Sequence, residues 1–273
     1  MKRRSRYRGT TRHISANWPT FTALYLGLVV VLFIAGISLQ KGWFSFVPLM
    51  LALAIVLVYF LATSLWAAHQ LYDLDGLRPH DFLFDMGQTK ATDTIVYVDF
   101  GLRVTPLQLR RRLTTGKIIV VDVYNPQWTK GQALARRREQ APPAPDDPRL
   151  VWQTGHFTLF PLPDESVPFV MLNQILSECW QEGDRLRLLK EAKRVLKPNG
   201  RLLLAEQTRT QTNWLLYGPA GTRFQPDDYW QELLEKAGFV VRRKQDLHGL
   251  IHCFRADKPT AAESRQLTLN LPI

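Results

Sequence analysis

The sequence predicts an α/β fold, a mostly parallel seven-stranded sheet with helices on both faces, preceded by a two-helix transmembrane hairpin. Three observations carry this expectation. Two uncharged apolar runs lie near the N-terminus, short apolar runs alternate with helix-length segments further on, and helix ends in the second half are sharply punctuated.

The chain opens MKRRSRYRGTTRH, where six Lys and Arg fall between Lys2 and Arg12 with no acidic residue among them. From Thr20 to Leu39 it carries no charge, over about the 20 residues a helix needs to cross a hydrocarbon core. Trp43 to Ala68 is a second uncharged run, with Trp43 and Trp66 near the two expected interfaces. Pro48 lies near its start, where a missing N–H costs least. Only Gln40-Lys41-Gly42 joins the runs, which forces an antiparallel hairpin. A cleaved signal peptide is the competing reading of the first run, but the second follows at once and no convincing small-x-small site precedes Trp43. The basic start, set against Lys41 alone in the turn, places the N-terminus in the cytoplasm, and two crossings return the chain there. The expected organisation is a basic cytoplasmic tail (1–19), a transmembrane hairpin (20–69), a juxtamembrane linker (70–94), an α/β domain (95–258) and a C-terminal tail (259–273). That describes a two-pass cell-membrane protein whose partner is the lipid bilayer and whose main domain is cytoplasmic.

The formal net charge of +11 does not point to nucleic acid, because about half of it belongs to the opening tail. No helix-turn-helix pattern, aromatic-and-basic RNA-reading motif or zinc-ligand spacing accompanies it. Cys179 and Cys253, the two cysteines, fall in or beside apolar patterns and read as small buried hydrophobes, not a disulfide. No metal-ligand set is expected.

Beyond the linker, the apolar runs are Ile95–Phe100, Lys117–Tyr124, Leu150–Gln153, Phe169–Gln174, Arg201–Glu206, Phe239–Gln245 and Leu250–Ala256. The first five are far enough apart for crossover connections, the pattern of a Rossmann-like parallel sheet. Glu182–Val195 reads as an amphipathic helix. So does Pro226–Ala237, opened by Gln225-Pro226-Asp227-Asp228 and closed by Gly238. Gln140–Pro148, QAPPAPDDP, is a surface connection within the domain, because the strand pattern resumes at Leu150.

The passage Glu191-Ala192-Lys193-Arg194-Val195-Leu196-Lys197-Pro198-Asn199-Gly200-Arg201-Leu202 closely resembles the E-x-x-R-V-L-K-P-G-G-R-L hallmark of class I S-adenosylmethionine-dependent methyltransferases. Phe160–Ser166 looks like the family's segment before strand four, and Leu233–Phe239 like its LLxxAGF junction. The resemblance covers about Thr94 to Lys258 and is closest to the quinone-biosynthesis subgroup. It implies S-adenosylmethionine as cofactor. Within that frame VDFGLRVT, Val98–Thr105, lands on the D-x-G-x-G-x-G turn after strand one. Asp99 and Gly101 match, while Arg103 and Thr105 stand where later glycines belong, implying a changed turn or a wider gap to the cofactor.

Asp122, followed by Val123, falls at the end of strand two, where the family places a carboxylate for both ribose hydroxyls. The 23 residues from Asp99 suit a βαβ nucleoside site. His156, followed by Phe157, aligns with the family's acidic contact to the adenine amino group, and a neutral His can still accept a hydrogen bond there. Asn173 and Gln174, at the end of the fourth run, line the methyl-acceptor pocket or serve a turn. The cofactor-binding candidates are therefore Asp99, Gly101, Arg103, Asp122, Val123, His156, Phe157 and Asn173. No catalytic residue is assigned, since methyl transfer can proceed by alignment of its reactants alone. Arg103 offers a cation or is simply solvated, and His248 and His252 read as structural or surface residues. The insertion Gln207–Phe224 is an acceptor-side lid, a membrane-touching loop or a short helix on the sheet edge. The expected function is methylation of a lipophilic small molecule or membrane-associated acceptor. The alternative is a catalytically inactive methyltransferase-fold scaffold or ligand sensor at the membrane. Nicotinamide-dependent oxidoreduction suits the βαβ start but not the Lys-Pro-Asn-Gly passage.

Overall fold

A computed structural model describes residues 7–129, 131–260 and 262–263. Lys2, Arg3, Arg4 and Arg6 of the basic tail, and most of the C-terminal tail expected at 259–273, lie outside the described residues. In chain order the elements are α1 (Arg8–Ala16), α2 (Trp18–Gln40), α3 (Val47–Tyr72), α4 (Pro79–Met86), β1 (Thr94–Asp99), α5 (Val104–Leu109), β2 (Lys117–Asp122), α6 (Gly131–Glu139), β3 (Leu150–Thr154), β4 (Val167–Asn173), α7 (Glu182–Val195), β5 (Leu196–Gln207), α8 (Gln211–Tyr217), α9 (Asp227–Lys236), β6 (Val240–Leu247) and β7 (Ile251–Asp257). They form two compact units. One holds the chain to Arg78 together with Gln211–Thr222, and the other holds the remainder.

In the first unit, α2 and α3 are long and apolar enough to cross a membrane, and few of their side chains are buried. Phe33, Leu49 and Ile55 of these helices, and Phe44 in the turn between them, are all well exposed. Asp73, just past α3, anchors α1: its carboxylate accepts the N–H groups of Gly9 and Thr10 at 2.6 and 3.1 Å and the Thr10 hydroxyl at 2.6 Å. A carboxylate in the first turn of a helix is held by the unpaired N–H groups and the positive end of the helix dipole.

The second unit is one seven-stranded sheet in the order β3-β2-β1-β4-β5-β7-β6. All pairs are parallel except those of β7, which runs antiparallel to both β5 and β6. β1 and β4 are buried on both faces, which is why their sequences read as continuous apolar runs without alternation. β6 closes one edge with Arg242, Arg243 and Lys244 facing solvent. The layer beneath α7 and α9 is filled by Trp230, Leu188, Leu189, Leu234 and Phe254.

Two departures from the expected elements are informative. The Lys197-Pro198-Asn199-Gly200 passage is an irregularity inside β5, not a turn before it, and the pairing with β4 shifts between Val167 and Phe169. The left-handed residue is Asn199, at φ 59°, which asparagine tolerates better than other side chains. The Glu191–Arg194 part of the hallmark is structural. Buried Glu191 accepts the Phe160 N–H at 2.5 Å and pairs with Arg194, whose guanidinium donates to the carbonyls of Phe160 and Leu162 at 3.2 and 3.0 Å. This clamp fastens the loop before β4 to α7. Removing one member of a buried pair leaves the other and its N–H partners unsatisfied, so Glu191→Ala is expected to lower unfolding free energy by about 3 kcal/mol. Urea titration of the purified protein checks it, and a loss below about 1 kcal/mol would show that the clamp is dispensable.

Candidate nucleoside site at the carboxyl edge

The parallel register places Asp99 of β1 directly opposite Asp122 of β2, so two carboxylates end neighbouring strands at the sheet's carboxyl edge. Ligands of open α/β sheets gather at this edge. Asp99 is buried and its Oδ2 accepts the Arg103 N–H at 2.8 Å, which closes the turn after β1. Gly101 and Arg103 both take left-handed conformations, at φ 73° and 61°. The turn therefore keeps the backbone that glycines would give, and the expected change of turn is not what the substitution produces. Instead the Arg103 side chain folds away along the connection to β3, donating to the Pro142 carbonyl at 3.3 Å and lying 6.0 Å from the Trp152 ring. Thr105, the other glycine replacement, falls in the first turn of α5, and its hydroxyl reaches the buried Tyr97 phenol.

Asp122 accepts the Tyr124 N–H at 3.1 Å and is held by Arg138 of α6 at 2.8 and 2.7 Å. The same guanidinium donates to the Phe100 carbonyl at 2.8 Å and lies 4.6 Å from the Tyr124 ring. A Cβ at Gly101 would overlap it, so the glycine makes room for an arginine here. The remaining cavity is ≈ 130 Å³ and is walled by Asp99, Gly101, Arg103, Asp122, Trp152 and Thr154, among others.

Of the eight residues expected from sequence, four thus meet at one cavity: Asp99, Gly101, Arg103 and Asp122. Val123 and Phe157 are buried in the core, Phe157 against Phe100 and Trp128. His156 lies outside the cavity wall, bonded through Nδ1 to the Thr158 hydroxyl at 2.9 Å and packed 4.5 Å from Trp128. Asn173, at the end of β4, faces the Tyr97 hydroxyl. Sequence reading missed Arg138, Trp152 and Thr154. Arg138 had no local signal, since ARRRE reads as a solvated helix face. Among the described residues no group of His, Cys, Asp and Glu could hold a metal ion.

Burial raises the Asp99 carboxyl to about 6, against the pull of the Arg103 N–H, and the nearby Asp122 charge adds to the rise. Glu206, near the end of β5 and fully buried, accepts the Leu176 N–H at 2.7 Å, and burial lifts it to about 7.

Residues 101–204 match the sequence profile of a methyltransferase domain. Among solved structures, a SAM-dependent methyltransferase from Aquifex aeolicus is similar at 20% identity, with 66% of this chain and 89% of that chain covered and a TM-score of 0.51. The cyclase SpnF is similar at 19% identity, covering 67% and 81%, also with a TM-score of 0.51. The α/β domain therefore has the fold of these proteins, and its central part carries the sequence pattern of a methyltransferase domain. That similarity makes S-adenosylmethionine the group to test against this site. The turn and the two carboxylates fit that group: Asp122 is an acceptor for a ribose diol, and the left-handed Gly101 keeps the backbone open beside it. The cavity is smaller than the roughly 300–1,000 Å³ of small-molecule pockets, and Arg138 holds the Asp122 carboxylate that a ribose diol would use.

Two outcomes follow from this geometry. A left-handed conformation costs a non-glycine residue about 1–2 kcal/mol, so Arg103→Gly is expected to stabilise the domain by about 1 kcal/mol after loss of its distant contacts. Chemical denaturation reads the change, and destabilisation would mean that the Pro142 contact outweighs the backbone term. Separately, folded Asp99 and Glu206 keep protons that the unfolded chain has already released. Their contribution to stability is full below the ordinary carboxylate range and is lost as pH rises through about 6 and about 7. The urea midpoint should therefore fall between pH 5 and pH 8, and Glu206→Gln should raise the pH 8 midpoint and flatten the slope. An unchanged slope in that variant would remove Glu206 as its source.

Proposed function

We propose that this chain is a membrane-anchored methyltransferase that methylates a lipophilic or membrane-associated acceptor at the cytoplasmic face. The observation that carries the cofactor half is the meeting of Asp99, Gly101 and Asp122 at one cavity on the carboxyl edge. The exposed apolar lengths of α2 and α3 support the anchor, and the basic start of the chain supports a cytoplasmic N-terminus. Motif similarity to the quinone-biosynthesis subgroup points to the same kind of acceptor.

When bound, S-adenosylmethionine supplies an electrophilic sulfonium methyl group. The chain's own residues hold and orient. Asp122 accepts from the ribose hydroxyls once its bond to Arg138 is given up. The Asp99-closed turn fixes the backbone beside the nucleoside. Asn173, at the end of β4, is the side chain on that strand best placed to meet an acceptor at the carboxyl edge. Acceleration then comes mainly from alignment of the acceptor atom with the methyl group, which needs no dedicated base when the acceptor is already nucleophilic.

Arg138 and the ribose compete for one carboxylate, so the two variants should move in opposite directions. Isothermal titration with S-adenosylhomocysteine is expected to show at least a tenfold tighter Kd for Arg138→Ala and at least a hundredfold weaker one for Asp122→Ala. Absence of binding to both the native protein and Arg138→Ala at millimolar ligand would end the cofactor assignment and leave the inactive scaffold. Weaker binding by Arg138→Ala would make the arginine a ligand contact in place of a competitor.

A further inference from the structure

The insertion between β5 and α9 folds with the apolar hairpin. Gln211–Thr222 belongs to the same compact unit as α2 and α3. The contacts are specific: the Tyr59 hydroxyl donates to the Leu215 carbonyl at 3.1 Å, and the Thr63 hydroxyl to the Leu216 carbonyl at 3.1 Å. Both acceptors lie in the last turn of α8, where carbonyls have no partner within the helix, so α3 supplies the cap. Gly218 rests against the Phe60 ring, which a Cβ would strike. Tyr59 and Thr63, two hydroxyl side chains one turn apart in the largely apolar α3, thus have a shared purpose.

The outer side of α8 is apolar and open. Trp214 and Leu215 are each 54% exposed, while Asn213 and Leu216 are buried. No charged residue occurs from Gln211 to Thr222. This surface continues onto α3 through Ile55, Val56, Val58 and Tyr59, all exposed. Depth along α3 follows from helix geometry. Trp66 is placed to mark the interfacial aromatic level, and Thr63 and Tyr59 lie three and seven residues before it, roughly 5 and 10 Å further along the axis. Amphipathic helices lying in a membrane interface bury their apolar face about 5–10 Å into the boundary between head groups and acyl chains.

We infer that α8 and the turn after it form an interfacial membrane element, docked on α3 and presenting Trp214 and Leu215 to lipid acyl chains. The inference rests on the membrane anchoring proposed above.

Labelling tests this directly, because Cys179 and Cys253 are both buried and an introduced cysteine would react selectively. Trp214→Cys, Phe33→Cys and Glu232→Cys are each labelled with an NBD fluorophore in the full chain, reconstituted in phosphatidylethanolamine–phosphatidylglycerol vesicles, and quenched by doxyl-labelled lipids. Expected are strong quenching by deep doxyl groups at position 33, strong quenching by shallow groups at 214, and none at 232. Adding Tyr59→Phe and Thr63→Val should reduce the quenching at 214 at least twofold without changing that at 33. Quenching at 33 with an aqueous signal at 214 would overturn the inference and leave the anchor standing. An aqueous signal at 33 would overturn the anchor and the inference together.

Discussion

Two carboxylates at the ends of adjacent parallel strands are the constraint around which this site is arranged. The β1–β2 register fixes Asp99 beside Asp122 at a spacing of roughly 5 Å between strands, where two full negative charges would repel strongly. The chain resolves the conflict by treating them differently. Asp99 is buried, takes the turn's N–H as partner and has its charge disfavoured. Asp122 stays partly open and is neutralised by Arg138. The cavity, the left-handed turn and the placement of α6 all follow from that division.

Much of this division was legible in the sequence, because it depends on spacing. A carboxylate at the end of each of two apolar runs, about one βαβ step apart, says which residues share an edge before any coordinates exist. What the sequence did not reveal is which cation answers them. Arg136, Arg137 and Arg138 are neighbours in the chain, yet successive residues on a helix point about 100° apart. Arg136 reaches Gln132, Arg137 pairs with Glu178, and Arg138 reaches the strand ends. Likewise the missing glycines implied a changed turn or a wider gap to the cofactor; the structure has Arg103 in a left-handed conformation with its side chain folded away along the connection to β3. The Lys-Pro-Asn-Gly passage carried the family resemblance while concealing that β5 begins before it, since a bulge has no local pattern distinct from a turn.

The first unit shows the opposite balance. Its helices were plain from uncharged length, but the company they keep was not. Nothing in QTRTQTNWLLYGPAGTRF distinguishes a lid, a sheet-edge helix and a partner for α3, because the deciding hydroxyls, Tyr59 and Thr63, sit some 150 residues earlier. Polar side chains inside apolar helices are costly unless satisfied, and here the satisfied group is the end of another helix. Such residues are better pointers to tertiary contacts than the segments they contact.

The charged outer strand of the sheet bears on how such molecules coexist. An open outer strand invites stacking with the same strand of a neighbouring copy. Arg242, Arg243 and Lys244 crowd β6 where that stacking would begin, Arg242 held by Glu263 and Lys244 by Asp227. Two copies meeting along this edge would have to strip water from those side chains before their strands could pair, which keeps the sheet from growing into a polymer.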